Sequence, residues 1–136
     1  MSEMHRGQCL CGAVKFDIAG PLKDVSACHC GQCRQWSGHY WASVNSALDD
    51  LEILDAEDSL RWYRASDFAR RGFCSVCGSS LFWHADGLDE HKDRIAIAAG
   101  ALERPTGLKT GEHIFLESQG DYYELPEDGA TQFDTD

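Results

Sequence analysis

Seven cysteines fall into three tight groups, Cys9/Cys11, Cys28/Cys30/Cys33 and Cys74/Cys77. Thiolates one or two residues apart can grip one ion from a single turn, and Zn²⁺ takes four such ligands in a tetrahedron. Two pairs and a triplet therefore predict two metal sites, one closed by four sulfurs and one held by three. A three-ligand site keeps a position for water or substrate, so the triplet is where chemistry is expected.

Cys9-Leu10-Cys11-Gly12 and Cys74-Ser75-Val76-Cys77-Gly78 read as two metal knuckles. Each ends in glycine, which adopts backbone conformations that bulkier residues avoid, so that amide groups can turn toward the sulfurs. One ion shared by Cys9, Cys11, Cys74 and Cys77 would clamp the start of the chain to its middle. Such a structural zinc supplies about 10–16 kcal/mol of apparent binding free energy, comparable to the whole stability of a small domain.

Cys28-His29-Cys30-Gly31-Gln32-Cys33 offers three sulfurs from one short loop. Other arrangements fit the same residues. His5, His29, His39 or His84 could close that site as a fourth ligand. Cys30/Cys33 could join Cys74/Cys77 as a ribbon, leaving Cys9, Cys11 and Cys28 over. Iron–sulfur clusters also use thiolates, although seven cysteines cannot complete two four-cysteine clusters. A disulfide framework fits poorly with an odd count and C-x-C spacings.

The rest of the chain reads as one domain, residues 1–136, of short strands and turns. Val14, Phe16 and Ile18 alternate with Ala13, Lys15 and Asp17, the period of a half-buried strand. Further runs lie at 40–44, 51–54, 60–64, 80–84, 94–98 and 113–117, divided by turn residues such as Asn45-Ser46, Asp86-Gly87 and Gly120-Asp121. This spacing predicts an antiparallel all-β domain, with short helical turns over 31–37 and 100–103. The acidic, apolar-poor stretch 126–136 is expected to be loosely held.

The formal net charge is −11, and two divalent ions bound by seven thiolates would take it to about −14. Such a surface repels phosphate backbones, which argues against a nucleic-acid partner. The first twenty residues lack an apolar signal core, and no stretch approaches the ~20 apolar residues of a membrane span. A cytoplasmic protein with reduced thiols is expected. Cations are sparse, but Arg34 and the Arg70-Arg71 pair sit close in sequence to the cysteines.

The three-plus-four grouping resembles the glutathione-dependent formaldehyde-activating enzymes and the related centromere protein V domain. The likeness runs from Gly7-Gln8-Cys9-Leu10-Cys11-Gly12 through Cys28-His29-Cys30-Gly31-Gln32-Cys33-Arg34 to Phe73-Cys74-Ser75-Val76-Cys77-Gly78-Ser79. It continues with Leu81-Phe82-Trp83 and Glu112-His113-Ile114-Phe115, covering nearly the whole chain in order. The resemblance implies a β-tent, Mss4-like fold and two zinc ions per chain. It assigns Cys9, Cys11, Cys74 and Cys77 to structural zinc, and Cys28, Cys30 and Cys33 to catalytic zinc.

It also implies a carbon–sulfur lyase, in which a thiol such as glutathione adds to formaldehyde or another small aldehyde. Three thiolates make zinc a weak Lewis acid, yet metal-bound sulfur is favoured as thiolate, so thiol activation is expected rather than water activation. Arg34 is a candidate for a substrate carboxylate, since its planar fork suits bidentate contacts. Trp36, Tyr40, Trp41, Phe82 and Trp83 are candidates for pocket walls, against the commoner role of aromatics as core. His29 either relays a proton or faces solvent, and His113 reads as a hydrogen-bonded packing residue. The competing function is a zinc-stabilised module that binds glutathione or a protein without turnover.

Overall fold

A computed structural model describes residues 3–136. The chain is mainly β, as an Mss4-like fold requires, with two sheets, one short α-helix and three 3-10 turns among the described residues. The smaller sheet has the order β1-β2-β5 and is antiparallel, built from Met4–Gln8, Lys15–Ala19 and Leu51–Leu54. Its central strand carries the alternation seen in the sequence. Phe16 and Ile18, with Val14 just before the strand, point into the core and are fully buried.

The larger sheet has eight strands. In chain order these are β3 (Val25–Cys28), β4 (Trp41–Ala47), β6 (Leu60–Arg64), β7 (Arg70–Cys74), β8 (Ser80–His84), β9 (Arg94–Ala98), β10 (Thr110–Ile114) and β11 (Thr131–Gln132). Their spatial order is β11-β10-β3-β4-β9-β8-β7-β6. One face packs on the smaller sheet. Val44, Leu81, Phe82 and Ile97 meet Val14, Phe16 and Ile18 there, and the rings of Phe16 and Phe82 pack edge to face at 5.6 Å.

Three expectations are corrected. The large sheet is not wholly antiparallel, because β10 runs parallel to both β3 and β11. The strand expected at 113–117 ends at Ile114, where Phe115 turns into the left-handed region at φ 58°. The stretch 126–136, expected to be loosely held, is paired along part of its length. Its β11 lies on β10, and Phe133 and Leu116 are joined to it through the bonds Phe133 N–H to His113 C=O (2.9 Å) and Leu116 N–H to Phe133 C=O (3.2 Å).

The helix α1 (Gly31–Ser37) starts where the sequence predicts. Cys30 is its N-cap and accepts from the Cys33 N–H, while Gly38 ends it in the left-handed conformation. A cysteine capping a helix brings its own sulfur beside that of the first turn, and the local fold thereby gathers two of the three clustered thiols. No helix among the described residues is long and apolar enough to cross a membrane.

Candidate metal centre and active site

The sulfurs of Cys9, Cys11, Cys74 and Cys77 lie within 4.8 Å of one another. Cys9 and Cys11 sit in the turn between β1 and β2, whereas Cys74 ends β7 and Cys77 lies in the turn before β8. The group therefore spans both sheets. Sγ–Sγ separations of 3.7 Å for Cys9/Cys11 and 3.8 Å for Cys11/Cys74 match the edge of about 3.8 Å that a tetrahedron with ~2.3 Å Zn–S bonds requires. Gly12 and Gly78 both take positive φ, 82° and 80°, as the knuckle turns demand. The Val14 N–H donates to Cys9 Sγ at 3.3 Å. The Ser79 hydroxyl lies 3.1 Å from Cys77 Sγ and, with its backbone neighbours, pulls that thiol down to about 5. These donors suit sulfurs held as thiolates.

Cys28, Cys30 and Cys33 form the second group, again with sulfurs within 4.8 Å of one another. Cys28 ends β3, and the other two open α1. Their proton affinities split. Hydrogen bonding with Cys28 and Cys33 pulls Cys30 down to about 2, helped by the Cys33 N–H and the charge of Arg71. The same contact with Cys30 pushes Cys28 up. Sulfurs that compete for protons in this way are suited to a cation that replaces those protons.

Arg71 supplies a second sign of the same fit. It is 3 % exposed, a placement that a guanidinium adopts only beside compensating charge. Its Nε and Nη2 donate to Gln32 Oε1 at 3.0 and 2.8 Å, Nη2 reaches Cys33 Sγ at 3.6 Å, and the group stacks on Trp36 at 4.8 Å. No carboxylate is among these partners, so the balancing negative charge is that of the sulfurs. Both donor sets fit a resident metal.

No histidine of the described residues joins either sulfur group. His29, one expected alternative ligand, is fully buried and bonded at both ring nitrogens, to Tyr123 and His113. Burial is the largest cause of its depressed pKa of about 4, followed by the charges of His113 and His39. It therefore faces neither solvent nor the sulfurs. His84 is likewise engaged, with Nδ1 taking Arg70 and Nε2 meeting the Lys92 carbonyl at 2.7 Å. The ribbon alternative falls too, since Cys74 and Cys77 belong with Cys9 and Cys11.

A cavity of about 640 Å³ opens against the three sulfurs. Its floor is the outer face of the large sheet. The register aligns Arg71 with Trp83, Trp83 with Ala96, and Ala96 with Asn45. One row further along, Ser43 pairs with Ser26, and Trp41 with Cys28. Alternation puts each of these on the cavity side. Trp41 and Trp83 thus line it, whereas Phe82 is core. Arg34 and Trp36 are not among the lining residues. Arg34 Nη2 donates to the Ser118 carbonyl at 3.1 Å, and Trp36 packs edge-on against Trp41.

Sequence reading missed what Arg71 and Gln32 do. Closeness in sequence pointed Arg71 toward Cys74, but the strand carries its side chain to Cys33. No linear signal marked Arg71, because Arg70–Cys74 does not read as a strand in the sequence.

The sequence profile of the family described as "Glutathione-dependent formaldehyde-activating enzyme" matches residues 4–118. A Schizosaccharomyces pombe protein named as an uncharacterized lyase is 28 % identical over 79 residues, which is 58 % of this chain and 56 % of that protein. The chain thus spans little more than half the length of that relative. The crystal structure of a Rhodobacter sphaeroides protein superposes with a TM-score of 0.61 at 21 % identity, covering 94 % of this chain and 98 % of that one. It shows the shared fold.

Proposed function

From the premise that the chain belongs to the glutathione-dependent formaldehyde-activating enzyme family, we propose that it is a zinc-dependent carbon–sulfur lyase. It joins a thiol, such as glutathione, to formaldehyde or another small aldehyde, and splits the same adduct in reverse. In the forward direction a carbon–sulfur bond forms at the carbonyl carbon, and the thiol proton ends on the carbonyl oxygen.

The supporting observation is the asymmetry of the sulfur groups, four in one and three in the other, with the cavity beside the three. Cys28, Cys30 and Cys33 would hold one zinc, and Cys9, Cys11, Cys74 and Cys77 the other. Zinc at the triplet would lower the proton affinity of a thiol that joins the three cysteines. Gln32 holds Arg71 by two bonds to one oxygen, and Arg71 offsets the negative charge of the sulfurs. Trp41 and Trp83 make the cavity wall apolar, which limits water beside the reacting carbonyl. The volume lies within the roughly 300–1,000 Å³ typical of small-molecule sites. It exceeds what formaldehyde alone needs and leaves room for the body of the thiol.

Exchange spectroscopy by NMR on formaldehyde mixed with glutathione and other small thiols tests this reading. Adduct formation faster than in buffer, and slowed to the buffer rate by Cys28→Ser, is the expected result. No acceleration with any thiol would leave a binding module.

A further inference from the structure

Behind the three-cysteine loop, four side chains from three distant parts of the chain make one hydrogen-bonded line. Tyr123 Oη lies 2.7 Å from His29 Nδ1, His29 Nε2 lies 2.9 Å from His113 Nδ1, and His113 Nε2 lies 2.9 Å from Asp128 Oδ2. His29 and His113 are 0 % and 1 % exposed. Both ends of the line dictate one direction. The Gly120 N–H donates to Tyr123 Oη at 3.1 Å, so the tyrosine proton is free to go to His29 Nδ1. A carboxylate only accepts, so His113 carries its proton on Nε2 and offers Nδ1 to the His29 Nε2–H. Every donor then meets an acceptor.

His29 stands between two sulfur ligands. Its backbone N–H also donates to the Ile114 carbonyl at 3.0 Å, and its ring packs on Tyr40 at 4.5 Å between centroids. The loop is therefore held by main chain and by both ring nitrogens. Asp128 is fixed in turn, since its Oδ1 accepts from the Ala130 N–H at 3.0 Å. Among the described residues no comparable line backs the four-cysteine group, whose sulfurs sit in turns and at the end of β7.

We propose that the segment from Gly120 to Asp128 is a working part of the three-cysteine site. Tyr123, His113 and Asp128 act through His29 as positioning residues that fix the loop carrying Cys28 and Cys30, and so set how firmly it keeps its metal. This rests on the reading that the three sulfurs hold a metal. Partners just outside a metal's ligands typically change affinity by about 10–100-fold when removed.

The test loads the full chain with zinc and follows transfer to a chromophoric chelator, with Cys28→Ser marking which kinetic phase belongs to the three-cysteine site. Asp128→Ala should speed that phase about 10–100-fold and leave the other phase unchanged. Asp128→Asn should stay near the wild type, because its amide oxygen still accepts from His113. Tyr123→Phe should speed the same phase. Nitrogen NMR of the loaded protein should find both imidazoles protonated on Nε2. Wild-type transfer rates in Asp128→Ala, equal acceleration of both phases, or an Nδ1–H form of either histidine would overturn the proposal. A wild-type chain that loads only one metal overturns the underlying metal reading and the proposal with it, and stoichiometry alone identifies that outcome.

Discussion

The two cysteine groups use the same element and reach opposite ends. Cys9 and Cys11 meet Cys74 and Cys77 across a gap of more than sixty residues, and the meeting ties the small sheet to the large one. Cys28, Cys30 and Cys33 come from six consecutive residues and tie nothing distant together. Four sulfurs assembled from far apart would complete a tetrahedron by themselves and serve the fold. A group assembled locally depends on its surroundings for charge balance and position, which here are Arg71 and the line through His29. It also leaves one side to the cavity. Connectivity, more than ligand chemistry, distinguishes the two groups.

The contrast breaks most sharply if the two groups respond alike to loss of one sulfur. Cys74→Ser should cost more than about 5 kcal/mol, since the metal's contribution rivals the entire stability. Circular dichroism should show no cooperative melt. Cys28→Ser should keep a melting temperature close to that of the wild type while adduct exchange falls to the buffer rate. A Cys28→Ser chain that unfolds as Cys74→Ser does would make both groups structural.

A smaller effect separates the core from the metal anchor. Phe16 of the small sheet packs on Phe82 of the large one, close to the four-cysteine group. Phe16→Ala should cost about 3–5 kcal/mol, measured by urea denaturation of the loaded protein. Metal content should stay at wild-type level, because the sulfurs come from turns rather than from this ring. Loss of the anchor's metal in a folded Phe16→Ala chain would mean that core and anchor are one unit.

Arg71 sharpens the comparison from the other side. Arg71→Met keeps an apolar side chain of similar reach but takes the guanidinium off Trp36, strips Gln32 of both donors and removes the charge beside Cys33. Metal affinity should fall about 10–100-fold at the three-cysteine group and remain unchanged at the other, as read by chelator competition. Equal weakening at both would deny Arg71 its selective role.

The two cysteine groups were legible because cysteine spacing is a local signal that survives any fold. So were β5, β6, β8, β9 and α1, whose apolar alternation or loop chemistry lies within single short segments. The strands β1 and β7 escaped because Met4–Gln8 and Arg70–Cys74 are too polar or glycine-broken to alternate. β3 escaped because Val25-Ser26-Ala27-Cys28 is short and made of small residues. The cavity floor depends on cross-strand register, which no linear reading of Asn45, Ala96 and Trp83 supplies. His29, His113 and Asp128 are joined across 84 and 15 residues, and the acidic tail reads as solvated until its partner is known.

The smallest expected effect provides a reference for acid experiments on both sulfur groups. Acid releases metal by protonating cysteines, and a loosening sheet edge would mimic that release. Asp86 takes two bonds from Arg64, at 2.8 and 2.6 Å, and the Arg64 contact is the main cause that lowers its pKa to about 2, with Arg70 adding its charge. A carboxylate whose folded pKa lies below the unfolded value of about 3.9 stabilises the fold fully above that value. The contribution fades as pH drops toward 2. The pair is half exposed on the arginine side, so solvent screens it and its contribution is small. Arg64→Ala should flatten the stability profile only between about pH 4 and 2, by denaturant midpoint, and leave metal loss from both cysteine groups at its wild-type pH. If Arg64→Ala moved metal release from either group, that edge of the sheet would have to be counted as part of the corresponding site.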